Sequence, residues 1–241
     1  MKVRLLGVGM GPQHVTVEVA EALRSCDYVV AASKTDQDEL LAIRQAICDE
    51  HGVELVAVPD PMRDRDPADY PATVAAWHDA RAAAYADVIR ARGGTAGFLV
   101  WGDPSLYDST IRVVERVAAA VGAEWDVLPG VSTPSLLAAR HRIVLHSVGD
   151  PVHITSARRL ADAIARRQTN IVVMLGNEAD LAGLAGLEDW SIWWGANLGT
   201  PSEELVVGLV GDVLPELVGA RARARESAGW VMDVHLMRAP S

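Results

Sequence analysis

The feature that most constrains this chain is an alternation. Through the first half, apolar runs of a few residues take turns with helical patterns, the signature of an α/β architecture. Residues 3–8, 28–32, 54–58, 98–101 and 125–128 read as strands. Between them, Thr16 is set to cap a helix that carries Val19, Ala22 and Leu23 on one face, with Glu18 in its first turn, where the helix dipole favours a carboxylate. Residues 38–50 form the next helix. Val74, Trp77, Arg81, Tyr85, Val88 and Ile89 mark a longer one that ends at Gly93-Gly94, with Trp77 and Tyr85 read as core. Ile111, Val114, Val117, Ala118 and Val121 mark a further helix. The near-continuous apolar run at 98–101 is that of a strand covered on both faces, as in parallel sheets.

From about Pro129 the texture changes. Short strands at 144–148, 153–155, 171–175, 191–194, 204–209 and 230–236 have few helices among them. The expectation is two α/β domains, 1–128 with a mostly parallel sheet and 129–241 with a mixed one. Residues 59–71, rich in Asp, Arg and Pro, read as a surface loop, and the Ala/Arg run 220–225 as a helix tail whose basic end suits the dipole.

Composition removes several classes. At 241 residues and 50% hydrophobic, the chain can bury a substantial core, and its apolar runs are far too short to span a bilayer. A soluble, cytoplasmic protein is expected. The formal charge of −10 argues against a nucleic-acid partner, because affinity for phosphate backbones needs a basic face. Cys26 and Cys48 have no CxxC or Cys/His partner, so neither a disulfide framework nor a metal site is expected.

Three strand exits carry the chemistry. Gly7-Val8-Gly9-Met10-Gly11-Pro12 follows the first strand and lets backbone approach a ligand at the carboxyl edge of a sheet. Its spacing is not that of the dinucleotide-binding fingerprint, and neither Asp36 nor Asp38 is a decisive ribose partner. Trp101-Gly102-Asp103-Pro104-Ser105-Leu106-Tyr107-Asp108-Ser109-Thr110 follows a buried strand. Helix capping alone explains Asp103 and Pro104 there, but not Gly102 or the hydroxyls of Tyr107, Ser109 and Thr110. Leu128-Pro129-Gly130-Val131-Ser132-Thr133 repeats the strand, turn and helix arrangement.

In this order and spacing, the three exits resemble the tetrapyrrole methylases of the cobalamin and siroheme pathways. Five blocks, at 98–110, 138–143, 151–160, 194–203 and 229–233, are further similar to the branch of that family that methylates a corrin ring carbon with loss of an acetyl group. The resemblance covers nearly the whole chain. It implies two domains with a cleft between them, a homodimer, and S-adenosylmethionine as methyl donor, held by Gly9, Gly11, Pro12, Gly102, Asp103, Ser105, Tyr107, Ser132, Met174 and Ala196. The implied reaction is methylation of precorrin-5 at C-1 with release of acetate.

The methyl sulfonium is already an activated electrophile, so alignment and exclusion of water should dominate methyl transfer. Deacetylation also needs a water and a group to accept its proton. Tyr107, Asp108, His141 and His153 are the catalytic candidates. Arg112, Arg140, Arg142, Arg158 and Arg159 are candidates for binding the acceptor's acidic side arms, since guanidinium pairs with carboxylate in bidentate fashion. Some residues depart from the family pattern: the first turn lacks an aspartate before Pro12, Ser33-Lys34-Thr35 and Thr155-Ser156-Ala157 replace glycine-containing motifs, and Leu175-Gly176-Asn177 lacks an aspartate. These leave two alternatives, a methylase of a different acceptor and a non-catalytic tetrapyrrole-binding protein.

Overall fold

A computed structural model describes residues 1–33, 39–62 and 69–240. Asp36 and Asp38 lie outside the described residues, as does much of the 59–71 loop. The chain clusters into two compact units, residues 1–131 and 132–241.

In the first unit β1 (Lys2–Gly7), β2 (Tyr28–Ser33), β3 (Glu54–Pro59), β4 (Thr95–Val100) and β5 (Glu124–Leu128) form a sheet in the order β3-β2-β4-β1-β5, with every pairing parallel. Helices α1 (Val17–Arg24), α2 (Glu39–His51), α3 (Tyr70–Arg92) and α4 (Thr110–Val121) connect them. The period-two pleat sends the apolar residues of β1 to both faces of the sheet, while Lys2 and Arg4 pair with Asp126 of β5. Val3 and Leu5 enter a core with Tyr85 and Ile89 of α3 and Val114 and Val117 of α4. Leu6, with Val8 just beyond the strand, enters the opposite core with Val19 and Leu23 of α1 and Ile47 of α2. Each fully buried leucine contributes about 1.5–3 kcal/mol, so a polar residue in place of Leu5 or Leu6 would be costly on either face.

The ends of these elements follow local chemistry. Thr16 caps α1 by accepting from the Val19 amide at 3.2 Å. Gly93 ends α3 at φ 68, its amide donating to the Ile89 carbonyl. Tyr85 is buried against Phe98, whereas Trp77 is only half-buried and carries the Arg81 guanidinium 3.9 Å above its ring.

In the second unit β6 (His153–Ser156), β7 (Asn170–Met174), β8 (Ser191–Ala196), β9 (Glu204–Leu209) and β10 (Asp233–Arg238) pair in the order β6-β7-β10-β8-β9. Only β6 and β7 are parallel, which makes the sheet mixed as the sequence suggests. Helix α5 (Thr133–His141) packs on β8 and β10, while α6 (Leu160–Ala165) and α8 (Val210–Ala228) supply Leu160, Leu217, Ala220 and Ala224 to the core that contains Trp194; a short α7 (Glu178–Leu181) follows β7.

One expectation fails here. Residues 144–148 form no strand. Val144 and Val148 are exposed, and the segment is tied by its carbonyls, Val144 accepting from Arg238 and Leu145 from the Asn170 amide. The 220–225 run does lie near the end of α8, with Arg225 in its last turn, and within it Arg221 is 7% exposed and its Nε donates to Asp233 at 3.0 Å, a buried pair that pins α8 to β10.

Candidate active site

Strands β1 and β4 are neighbours, yet β1 leads to α1 on one face and β4 to α4 on the other. Such a reversal opens a crevice outside the carboxyl ends of an α/β sheet, where ligands bind. The glycine-rich turn and the 101–110 segment leave the sheet at this point.

The two exits are joined to each other. Gly9 and Gly102 form an antiparallel bridge, with the Gly102 amide donating to the Gly9 carbonyl at 2.8 Å and the Gly9 amide to the Gly102 carbonyl at 3.2 Å. Both residues have positive φ, 61 and 76, which a side chain would strain. The third exit closes on them: a Cβ on Gly130 would lie 2.2 Å from the Gly102 carbonyl oxygen and 2.7 Å from the Gly7 carbonyl carbon.

Asp103 does not cap a helix. Residues 104–109 are turn and loop, and α4 begins only at Thr110. Instead Oδ1 of Asp103 accepts from the Ser105 amide at 2.8 Å and from its hydroxyl, and Oδ2 accepts from the Gly130 amide at 3.0 Å. Partial burial pushes the Asp103 carboxyl up, but those three donors outweigh it and hold the group below the usual carboxylate range. Its own main-chain N–H has no partner among the described residues, so a donor remains on this edge.

Pro12 opens a single 3₁₀ turn, Pro12–His14, directly after Gly11. Tyr107 is 45% exposed at φ 52, a region that a bulky residue seldom occupies outside strained or functional sites. Asp108 accepts the Thr110 amide at 2.6 Å and so steadies the first turn of α4.

In the second unit Ser132 caps α5, accepting from the Ser135 amide. Met174 ends β7 and Ala196 ends β8; both are buried, and they flank the start of β10, opposite Val234 and Asp233. These two cofactor candidates thus share one end of the sheet. Arg158 follows β6 at that same end, since Ser156 pairs with Met174. His153 pairs with Ile171 at the other end, so the sheet separates it from Met174 and Ala196.

Several charged candidates are already committed. Arg140 binds both oxygens of Glu203, which also accepts the Gly199 amide. Arg159 pairs with Asp162 on the surface, and His141 bonds through Nε2 to the Trp194 carbonyl at 3.0 Å. Arg142 is the left-handed C-cap of α5. Arg112, Arg142 and Arg158 are exposed and make no ion pair among the described residues.

A strand-edge crevice with glycine-built exits and a mixed second sheet define a class. The family model of tetrapyrrole (corrin/porphyrin) methylases matches residues 2–214, and the chain belongs to that family. It is 38% identical over 251 residues to a precorrin-6A synthase (deacetylating) of Sinorhizobium sp., spanning 98% of this chain and 95% of that one. The crystal structure of a cobalamin synthesis related protein, CobF, of Corynebacterium diphtheriae matches at a TM-score of 0.85 and 34% identity, with 100% of both chains covered. A cobalt precorrin-4 methyltransferase matches at a TM-score of 0.66 over 99% of this chain and 94% of its own, but at 16% identity that likeness speaks for the fold alone.

Proposed function

We propose that the chain is an S-adenosylmethionine-dependent C-methyltransferase of cobalamin biosynthesis, which methylates precorrin-5 at C-1 and releases the acetyl group as acetate to give precorrin-6A. The observation that carries this reading is the 38% identity to the Sinorhizobium precorrin-6A synthase (deacetylating) across 98% of the chain.

The cofactor supplies a methyl group already activated as a sulfonium. The first unit suits such a ligand because its exits are rigid before anything binds. Gly9 and Gly102 spend their amides on each other, so they shape the crevice rather than donate into it. Asp103 then acts through its main-chain N–H and the positions of Ser105 and Gly130, not through a free carboxylate. Gly11, Pro12 and Tyr107 complete this edge, and Ser132, Met174 and Ala196 are the cofactor-lining candidates of the second unit. A preformed edge lowers the entropy lost in alignment, the main demand that methyl transfer makes.

Arg112, Arg142 and Arg158, exposed and without an ion pair, are the better candidates for the acceptor's acidic arms; Arg140 and Arg159 serve their own units. A homodimer is part of the reading. Leu205, Val207 and Leu209 on the edge strand β9 are 38%, 55% and 44% exposed, an apolar stripe of the kind that a second copy covers. Light scattering that finds only monomers would remove that part. No helix among the described residues is long and apolar enough to cross a membrane, and we place the enzyme in the cytoplasm.

Purified protein incubated with methyl-labelled S-adenosylmethionine and a precorrin-5-generating mixture should put label into the macrocycle. An unlabelled macrocycle would overturn the assignment, and label in a different acceptor from a tetrapyrrole panel would redirect it.

A further inference from the structure

Helices α3 and α4 pack side by side on one face of the first sheet, and a cluster of basic groups gathers along their junction. It consists of His78 on α3 and of Arg112 and Arg116 on α4, whose charges both act on the histidine. The cluster belongs to the carboxyl edge of the sheet. A cavity of about 180 Å³ at the ends of β2 and β4 has Arg81, Tyr85 and Thr110 in its lining. His78 lies one helical turn before Arg81, and Arg112 follows Thr110 within the first turn of α4.

Two polar groups of the cluster are buried and unspent. His78 is 7% exposed, and its ring, 5.2 Å from that of Trp77, makes no hydrogen bond among the described residues. Nη1 of Arg116 is buried and has no hydrogen-bond partner either. Polar atoms withdrawn from water are normally paired, because leaving them unpaired costs free energy, so two orphans in one cluster point to a ligand that completes it. Arg112 adds a third donor group, exposed and without an ion pair.

The charges define that ligand. Asp60 neutralises Arg81, but Arg116 has only Asp79, 3.4 Å from its Nε and with both side chains partly in water, a pair of little strength. Burial, and then the positive charges of Arg116, Arg112 and Arg81, hold His78 below its ordinary value of 6.5 against the smaller pull of Asp79. At neutral pH the ring is therefore uncharged and offers one N–H. Two guanidinium groups and that N–H suit an anion, and a carboxylate best of all, since its two oxygens match the guanidinium fork. The net charge gives a further reason for such a seat. At a formal −10 the protein as a whole repels an acceptor with several acidic arms, and a local basic cluster reverses the field at the edge where the acceptor docks.

We propose that His78, Arg112 and Arg116 form an anion seat that takes one carboxylate arm of the acceptor, an inference that rests on the tetrapyrrole methyltransferase reading above. The oxygens of the arm accept from the Arg112 guanidinium, from Nη1 of Arg116 and from the His78 N–H. The seat holds the macrocycle away from its reacting carbon, so acceptor binding depends on it and binding of the methyl donor does not. His78 and Arg116 are thereby substrate-binding residues.

Two measurements test the seat. The first needs no activity. Inorganic phosphate is added to the purified protein at constant pH, and the ring-proton resonances of His78, identified by their loss in His78→Gln, are followed. Phosphate should shift them in wild type and should have far less effect in Arg116→Gln. The second measurement is label transfer from S-adenosylmethionine at varied precorrin-5 concentration. Arg112→Gln and Arg116→Gln should each raise the acceptor KM about tenfold, as expected for one lost charge-assisted hydrogen bond, with kcat unchanged within about twofold. Affinity for S-adenosylhomocysteine, read by calorimetry, should not move. Arg90→Gln removes an exposed charge from another part of α3, where it pairs with Asp87, and should leave all of these quantities as they are. His78 resonances indifferent to phosphate overturn the seat. An acceptor KM unchanged in both arginine variants overturns the arm even where phosphate binds, because the seat then serves a small free anion. A wild type that transfers no methyl overturns the function and the arm with it, while the phosphate shifts still decide whether an anion is held.

Discussion

The carboxylate of Asp103 accepts the amide of Gly130 at 3.0 Å across 27 residues of sequence. With the Gly9 and Gly102 bridge, this bond fixes the exits of β1, β4 and β5 relative to one another. The crevice therefore has one shape before a ligand arrives, which is the condition for alignment to serve catalysis.

Removing that carboxylate should loosen the edge. Asp103→Ala hands the exposed Ser105 amide to water but leaves the part-buried Gly130 amide without its acceptor, and an unpaired buried donor costs about 1–3 kcal/mol. Urea titration should show a loss of about 2 kcal/mol, with weaker binding of S-adenosylhomocysteine. Because the folded carboxyl lies below its ordinary value of 3.8, its contribution is full above that pH and disappears as pH falls through the folded value. The variant should therefore lack that part of the acid sensitivity.

Gly130→Ala tests close approach rather than backbone freedom. Its Cβ would sit within 2.8 Å of main-chain atoms of Gly7 and Gly102, which cannot yield without pulling strand ends apart. A loss above about 4 kcal/mol, or failure to accumulate as soluble protein, is expected. Gly183→Ala, whose Cβ meets nothing within 4 Å, is the control and should change stability by no more than about 0.5 kcal/mol.

His235 predicts a second acid response in a separate window. Burial drives its pKa down from 6.5 to about 4, against the smaller opposing pull of Asp233 and Asp180, and its Nε2 has no partner. The unfolded chain thus binds a proton that the folded chain refuses between those two values, and stability falls as pH is lowered through them. The slope approaches about 1.4 kcal/mol per pH unit. Urea midpoints from pH 7 to pH 4 should fall more steeply for wild type than for His235→Phe; parallel curves would contradict this.

Burial pushes the Cys26 thiol up to about 11 and the Cys48 thiol up to about 12. Only thiolate attacks a disulfide reagent, so neither should react in the native protein at pH 8, and both should react in denaturant. Rapid native labelling of either would place it at the surface.

Much of the fold is legible in the sequence because the inner strands of the first sheet, β1, β2 and β4, are covered on both faces. Such strands carry apolar residues at adjacent positions, and Leu5 and Leu6 serve two cores from neighbouring sites. Residues 144–148 have the same look without a ladder partner, and periodicity alone cannot tell the two apart. Asp103-Pro104 reads locally as a helix start, whereas its use is a long-range tie that no local pattern records. Tyr85 is core by helical spacing, and the residue is indeed buried, but nothing in the spacing reveals that it also lines a cavity. Met174 and Ala196 became candidates through family resemblance alone. Insertion of β10 between β7 and β8 brings them to one sheet end, and a strand order is not written in local residues.

Hydrogen exchange with and without S-adenosylhomocysteine tests the central claim most directly. Saturating ligand should slow exchange in peptides spanning residues 7–11 and 101–106, where the β1 and β4 exits lie, and leave the outer face of α3 unchanged. Unchanged exchange at both exits under saturation would mean that the cofactor is not held there.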